Sequence, residues 1–266
     1  MTSKYNAQRL NGKVAIVTAA TNGIGLAIAE RLGHEGAHVI ISSRNEENVT
    51  KAVKELVDSG LKTENIHGCV CHVGNADHRQ RLVNTTLEKF GRIDILVNNA
   101  GISPTAGDIM QTSEEAWDKL FDVNVKAGFL LTKLVVPHMQ KNGSGNVVFN
   151  SSVAAYNNPP IIAAYGVTKT ALLGLTKAMA ESLAPKNIRV NCIAPGIIKT
   201  KFSRPLWEGV KATEIHQHQK ADLQPSLGRF GTPEECAGVV AFLCSNDASY
   251  VTGESIVIGG GVHARL

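Results

Sequence analysis

Short, wholly apolar runs alternate with longer stretches of helical periodicity, and this alternation constrains the fold of the chain more than any other feature. Val14-Ala15-Ile16-Val17, Val39-Ile40-Ile41-Ser42, Ile93-Asp94-Ile95-Leu96-Val97, Asn146-Val147-Val148-Phe149, Ile188 to Ile193 and Ser255 to Ile258 read as strands. A strand with one wet face alternates apolar and polar residues. A run without that alternation has both faces covered, as a parallel strand between two helix layers does. The helical stretches supply the crossovers that parallel pairing requires. The expected fold class is therefore α/β, a doubly wound parallel sheet with helices on both faces. No repeat, low-complexity segment or convincing linker interrupts the pattern, so residues 1–266 are expected to form a single domain.

The first run leads through Thr18-Ala19-Ala20-Thr21-Asn22-Gly23-Ile24-Gly25 into a helix expected from about Gly25 to Gly33. Glycines let a backbone approach a pyrophosphate, and a helix N-terminus favours its charge. By itself this loop is equally an ordinary tight turn. After the second run, a carboxylate would accept hydrogen bonds from both ribose hydroxyls and repel a 2′-phosphate. The chain has Ser42-Ser43-Arg44 there instead. Arg44 can pair with that phosphate and Ser43 can donate to it, which predicts NADP(H) over NAD(H).

Tyr165 and Lys169 are four residues apart in Tyr165-Gly166-Val167-Thr168-Lys169, with Ser152 upstream in Asn150-Ser151-Ser152. Residues four apart on a helix share a face. A cation roughly 4 Å from a phenol contributes about 4 kcal/mol at an effective dielectric near 20. That would pull a tyrosine pKa about 2–3 below its usual ~10. Such a tyrosine exchanges protons with a carbonyl or alcohol oxygen near neutral pH, while a serine hydroxyl holds that oxygen.

These pieces, together with Asn98-Asn99-Ala100-Gly101, Asn124 and Pro195-Gly196-Ile197-Ile198-Lys199-Thr200, occur in an order and spacing that resemble the short-chain dehydrogenase/reductase family from Leu10 to Gly261. The resemblance implies a Rossmann fold of about seven strands. It implies hydride transfer to a carbonyl with Tyr165 as general acid, Ser152 positioning the oxygen, and Lys169 holding the nicotinamide ribose. Asn124 would anchor a water linking Lys169 to solvent, stabilise a helix kink, or do both. Asn98 would stabilise the sheet centre and contact the cofactor, with Ala100 and Gly101 against the adenosine side. Pro195, Gly196, Ile198 and Thr200 would close around the carboxamide. Two departures stand out. The family usually has Gly where this chain has Ala19, and often an acidic residue where His72 precedes Val73; His72 would then stack or hydrogen-bond at the adenine. The resemblance also implies a homotetramer through the helix starting at Tyr165 and the one before it, with Ala171, Leu172, Leu175, Ala178 and Met179 as a candidate face for it or for packing within the protomer.

The net charge of +4 is dispersed, which argues against nucleic-acid binding. Five cysteines and a polar N-terminus suggest reduced thiols within the cell and no signal peptide. Cys69, Cys71 and His72 invite a metal reading, but on a strand His72 points away from the two thiols and no second pair completes a tetrahedral set. His216 and His218 read as a solvated helical face. No metal is expected. Ala264-Arg265-Leu266 resembles the tripeptide read by a peroxisomal import receptor; an incidental tail would leave the protein cytoplasmic. Residues 199–231 are too long for an ordinary connection and read as a substrate lid or a surface excursion. Phe202, Leu206, Trp207 and Ile215 there suit apolar carbonyls such as aromatic ketones, α-dicarbonyls, quinones and retinal, or simply pack on the domain. Lys199, Lys201 and Arg204 keep open a rival, a 3-oxoacyl thioester reductase. A catalytically silent NADP(H)-binding scaffold rests only on Ala19.

Overall fold

A computed structural model describes residues 8–104, 107–208 and 225–262. Seven parallel strands form one sheet in the order β3-β2-β1-β4-β5-β6-β7. They are β1 Val14–Thr18, β2 His38–Ser43, β3 Ile66–Val70, β4 Ile95–Asn98, β5 Gly145–Asn150, β6 Ile188–Pro195 and β7 Ser255–Ile258. The chain winds outward from β1 to β3, then returns to place β4 on the other side of β1. That reversal opens a crevice at the carboxyl ends of β1 and β4.

Two cores flank the sheet, and they explain the unbroken apolar runs. Ala15, Val17, Val39 and Ile41 pack with α1 (Gly23–His34), α2 (Glu46–Asp58) and α9 (Pro233–Cys244). Ile16, Ile40 and Leu96 pack on the opposite side with α3 (Ala76–Phe90), α5 (Ala127–Lys141) and α7 (Ala163–Leu183). Successive strand residues face opposite cores. Each fully buried Ile or Val contributes about 1.5–3 kcal/mol. Cys69 and Cys71 are both buried in the second core. β3 ends at Val70, so Cys71 and His72 lie in the following turn rather than on the strand expected there. Leu172 and Met179 belong to this core too. They are spent inside the protomer, because α7 lies directly against the sheet, and only Ala171, Leu175 and Ala178 of the expected oligomer face retain exposure.

α4 (Glu114–Phe121) continues into a π-helical turn, Asp122–Lys126, before α5. Two short helices, α6 (Ala154–Asn157) and α8 (Arg204–Trp207), follow β5 and β6. No described helix is long and apolar enough to cross a membrane. Of the expected lid, residues 209–224, including Ile215, His216 and His218, lie outside the described residues, as does the 264–266 tail. The described flanks are tied together by a bridge between Ile198 and Gly231.

Candidate active site

A cleft of about 540 Å³ follows the carboxyl ends of the strands. Its floor is the β1–α1 loop. Ala19 adopts φ +50 and Gly23 φ +55, so the chain turns sharply enough to aim the first turn of α1 into the cleft. Gly25 is the tightest point: an added Cβ would lie 2.6 Å from the Ala19 carbonyl and 2.9 Å from the Ala20 Cα. Ala19, Asn22, Gly23 and Ile24 line the cleft, with Ser43, Arg44, His72 and Val73 at one end and Ala100 and Gly101 between. Pro195, Gly196, Ile198 and Thr200 line it beside Ser152, Tyr165 and Lys169.

Three expected site residues do not reach the wall. Thr18 is buried beneath it; its hydroxyl accepts from the Asn99 and Ala100 amides at 3.0 and 3.1 Å and donates to the Val97 carbonyl at 3.3 Å. Asn98 is buried and donates to Thr132 Oγ1 at 3.1 Å, so it ties β4 to α5 rather than touching the cleft. Asn124 is buried in the π-helical turn. Its Oδ1 accepts from the Ile102 amide at 2.8 Å, and its Nδ2 donates to the Ile102 carbonyl and to Thr168 Oγ1, both at 3.0 Å. Those bonds engage the side chain and hold the kink.

At the catalytic end, Tyr165 lies in the first turn of α7 and Lys169 one turn later. The Ser152 hydroxyl accepts from the Ala154 amide at 3.1 Å and is hydrogen-bonded to the Tyr165 phenol. The Lys169 ammonium donates to the Asn150 carbonyl at 2.7 Å and lies 5.3 Å from the Tyr165 ring centroid. Ser151 Oγ donates to the Lys169 carbonyl at 2.7 Å, which locks the end of β5 to α7. Burial pushes the Tyr165 phenol well above its ordinary value, and the Ser152 hydrogen bond offsets this only in part. Burial lowers Lys169 to about 8. The expectation of a tyrosine already pulled down by its lysine is corrected here. The ammonium sits over the ring face and is held by a carbonyl, and desolvation penalises both charged forms.

Asn99, Asn150, Ile102 and Lys119 also line the cleft and were not singled out in the sequence. Asn99 donates to the Thr18 and Ala19 carbonyls at 2.9 and 3.1 Å and accepts from Asn150 at 2.8 Å. Both asparagines lie within the quoted motifs, which was a usable signal. Lys119 comes from α4 with no motif around it. The cleft fits a nicotinamide dinucleotide. A helix N-terminus faces it where a Cβ is excluded, none of its described lining residues is a carboxylate, and the buried Asn150 Oδ1 has no partner among the described residues.

The fold and this constellation define a nicotinamide-dinucleotide oxidoreductase, and the chain belongs to the short-chain dehydrogenase/reductase (SDR) family. The profile of a family described as enoyl-(acyl carrier protein) reductase matches residues 18–263. Dehydrogenase/reductase SDR family member 4 of Caenorhabditis elegans is 57% identical over 262 residues, covering 98% of this chain and 99% of that protein. The Homo sapiens protein of the same name is 55% identical over 257 residues, covering 97% and 90%. Among solved structures, a 7α-hydroxysteroid dehydrogenase complexed with NADH and 7-oxo glycochenodeoxycholic acid superposes with a TM-score of 0.88 at 33% identity, covering 98% and 99%. A 3-ketoacyl-(acyl-carrier-protein) reductase from Brucella melitensis complexed with NADH gives 0.84 at 30%, covering 95% and 98%. The chain is thus an oxidoreductase acting on alcohol and carbonyl groups with a nicotinamide cofactor.

Proposed function

We propose that the chain reduces ketones and aldehydes with NADPH, taking apolar carbonyls such as aromatic ketones, α-dicarbonyls, quinones and retinal. The observation that carries this reading is the wall facing Ser152 and Tyr165. Pro159, Ile161, Ile162, Phe202 and Leu206 line that end of the cleft, and the Phe202 ring lies 6.0 Å from the Tyr165 ring. The cofactor supplies the hydride when bound. Tyr165 donates its proton to the carbonyl oxygen, and Ser152 holds that oxygen by a hydrogen bond. Burial keeps the phenol protonated, so Tyr165 carries the proton that reduction consumes. Lys169, anchored on Asn150, positions the ribose beside it.

The absence of any carboxylate among the described lining residues, with Ser43 and Arg44 at the end of β2, supports NADP(H). The thioester rival needs a basic rim for the substrate's phosphates. Arg204 is instead paired with Glu208, and Lys199 and Lys201 do not line the cleft. The silent-scaffold reading loses ground because the serine, tyrosine and lysine converge on one end of the cleft. A homotetramer is part of the same proposal. Peroxisomal import through Ala264-Arg265-Leu266 remains part of the reading.

The test is NADPH oxidation followed by absorbance with retinal, an aromatic α-diketone and an acetoacetyl thioester. Turnover of the first two, lost in Tyr165→Phe, is expected. Preferential turnover of the thioester would transfer the chain to acyl-chain chemistry.

A further inference from the structure

One end of the cleft holds more cationic and donor groups than the sequence reading assigned to it. Strand order places the ends of β2 and β3 on the far side of the sheet from the β5 end that carries Ser152. A dinucleotide whose pyrophosphate lies at α1 and whose nicotinamide lies by Tyr165 must put its adenosine half at the β2–β3 end. Ser43, Arg44, His72 and Lys119 line that end. Arg44 and Lys119 are exposed, and neither makes an ion pair with any described residue. Asp77, Glu46 and Glu47 open the neighbouring helices but do not line the cleft.

His72 is held in one tautomer. Its Nδ1 accepts from the Gly74 amide at 3.1 Å, so its ring proton resides on Nε2. Its own amide donates to His78 Nδ1 at 3.1 Å, and Arg79 grips the Val73 carbonyl at 2.6 Å, which fixes the loop from α3. Nε2 makes no hydrogen bond to any described residue. Burial first, then Lys119, Arg44 and His78, lower the His72 pKa, and a backbone hydrogen bond opposes them.

We propose that His72 and Lys119 complete the 2′-phosphate site with Ser43 and Arg44: His72 donates its orientation-fixed Nε2–H to the phosphate, and Lys119 adds charge beside it. This rests on the NADP(H) reading above. It explains how a histidine can stand where the family often has an acid: the position turns from a base contact into a phosphate contact.

Dissociation constants of NADPH and NADH, measured by fluorescence titration of the full chain, test it, because contacts to the shared adenosine cancel in their ratio. His72→Ala should lower the NADPH-over-NADH preference about tenfold, as for a lost hydrogen bond to a charged group. His72→Gln, which restores an N–H donor, should recover most of it. Lys119→Met should lower it severalfold, with an effect that fades in high salt. Thermal unfolding midpoints unchanged from wild type show that the fold is intact in each variant. A preference untouched in His72→Ala and Lys119→Met but lost in Arg44→Ala overturns the proposal and leaves the cofactor reading standing. A wild-type chain without preference, indifferent to Arg44→Ala, overturns both.

Discussion

Replacing Ala19 by glycine should stabilise this protein, although it deletes a methyl group from a well-ordered loop. Ala19 sits at φ +50, in the left-handed region, where an L-residue with a Cβ is strained by about 1–2 kcal/mol. Its carbonyl accepts from Asn99 Nδ2 at 3.1 Å and closes on Gly25, so the loop cannot relax into a right-handed conformation without losing both contacts. Glycine removes the strain but restores unfolded-chain entropy of about 0.4–1 kcal/mol. The net expectation is a gain of about 0.5–1 kcal/mol, or a Tm rise of roughly 1–4 °C for a chain of this size. Ala19→Val should lose about 1–2 kcal/mol, since a β-branched side chain tolerates the left-handed region least. Urea unfolding of the three proteins with a shared m-value is the assay. Because Ala19 lines the cleft, NADPH affinity should hold or improve in the glycine variant. A glycine variant no more stable than wild type, or a valine variant as stable as alanine, would refute the strain argument.

Gly25→Ala should cost about 2–4 kcal/mol and abolish cofactor binding, because its Cβ would meet backbone atoms of Ala19 and Ala20 that cannot swing away; calorimetric titration would show it. Tyr165→Phe should lower reduction about 10²–10⁴-fold and leave the NADPH dissociation constant unchanged, and a parallel loss of binding would argue against the acid role. Since burial holds the Tyr165 phenol above its ordinary value, reduction should persist through neutral pH while alcohol oxidation climbs as pH rises toward the phenol's ionisation; an oxidation rate flat from neutral pH upward contradicts this. Glu35 is buried and hydrogen-bonded to Arg9 and Arg31; although burial opposes its charge, these bonds outweigh it and hold its pKa below the ordinary value. Its contribution is therefore full above the unfolded carboxyl value near 4.3 and lost as pH falls through the folded one. Glu35→Gln should cost about 1.5–3 kcal/mol at neutral pH and progressively less in acid, so melting curves that show equal losses at both pH values would count against the ion pairs.

The architecture was legible because its causes are local and periodic. Unbroken apolar runs such as Val14–Val17 mean two covered faces wherever they occur, and the two cores on either side of the sheet are that requirement met. The four-residue spacing of Tyr165 and Lys169 places them one turn apart on any helix, and the loop after β1 carries its glycines in the order a sharp strand-to-helix turn needs. What the sequence could not settle depends on elements far apart along the chain. Thr18, Asn98 and Asn124 share motifs with residues that line the cleft. Yet hydrogen bonds to Val97, Thr132 and Thr168 draw them beneath its wall. Lys119 enters from a helix with no signature at all, brought there only by the packing of α4. Spacing puts the lysine next to the tyrosine, but the state of each proton is decided by how much water the assembled cleft excludes. Desolvation is a property of everything that surrounds a group, so only the tertiary structure shows Tyr165 raised and Lys169 lowered together.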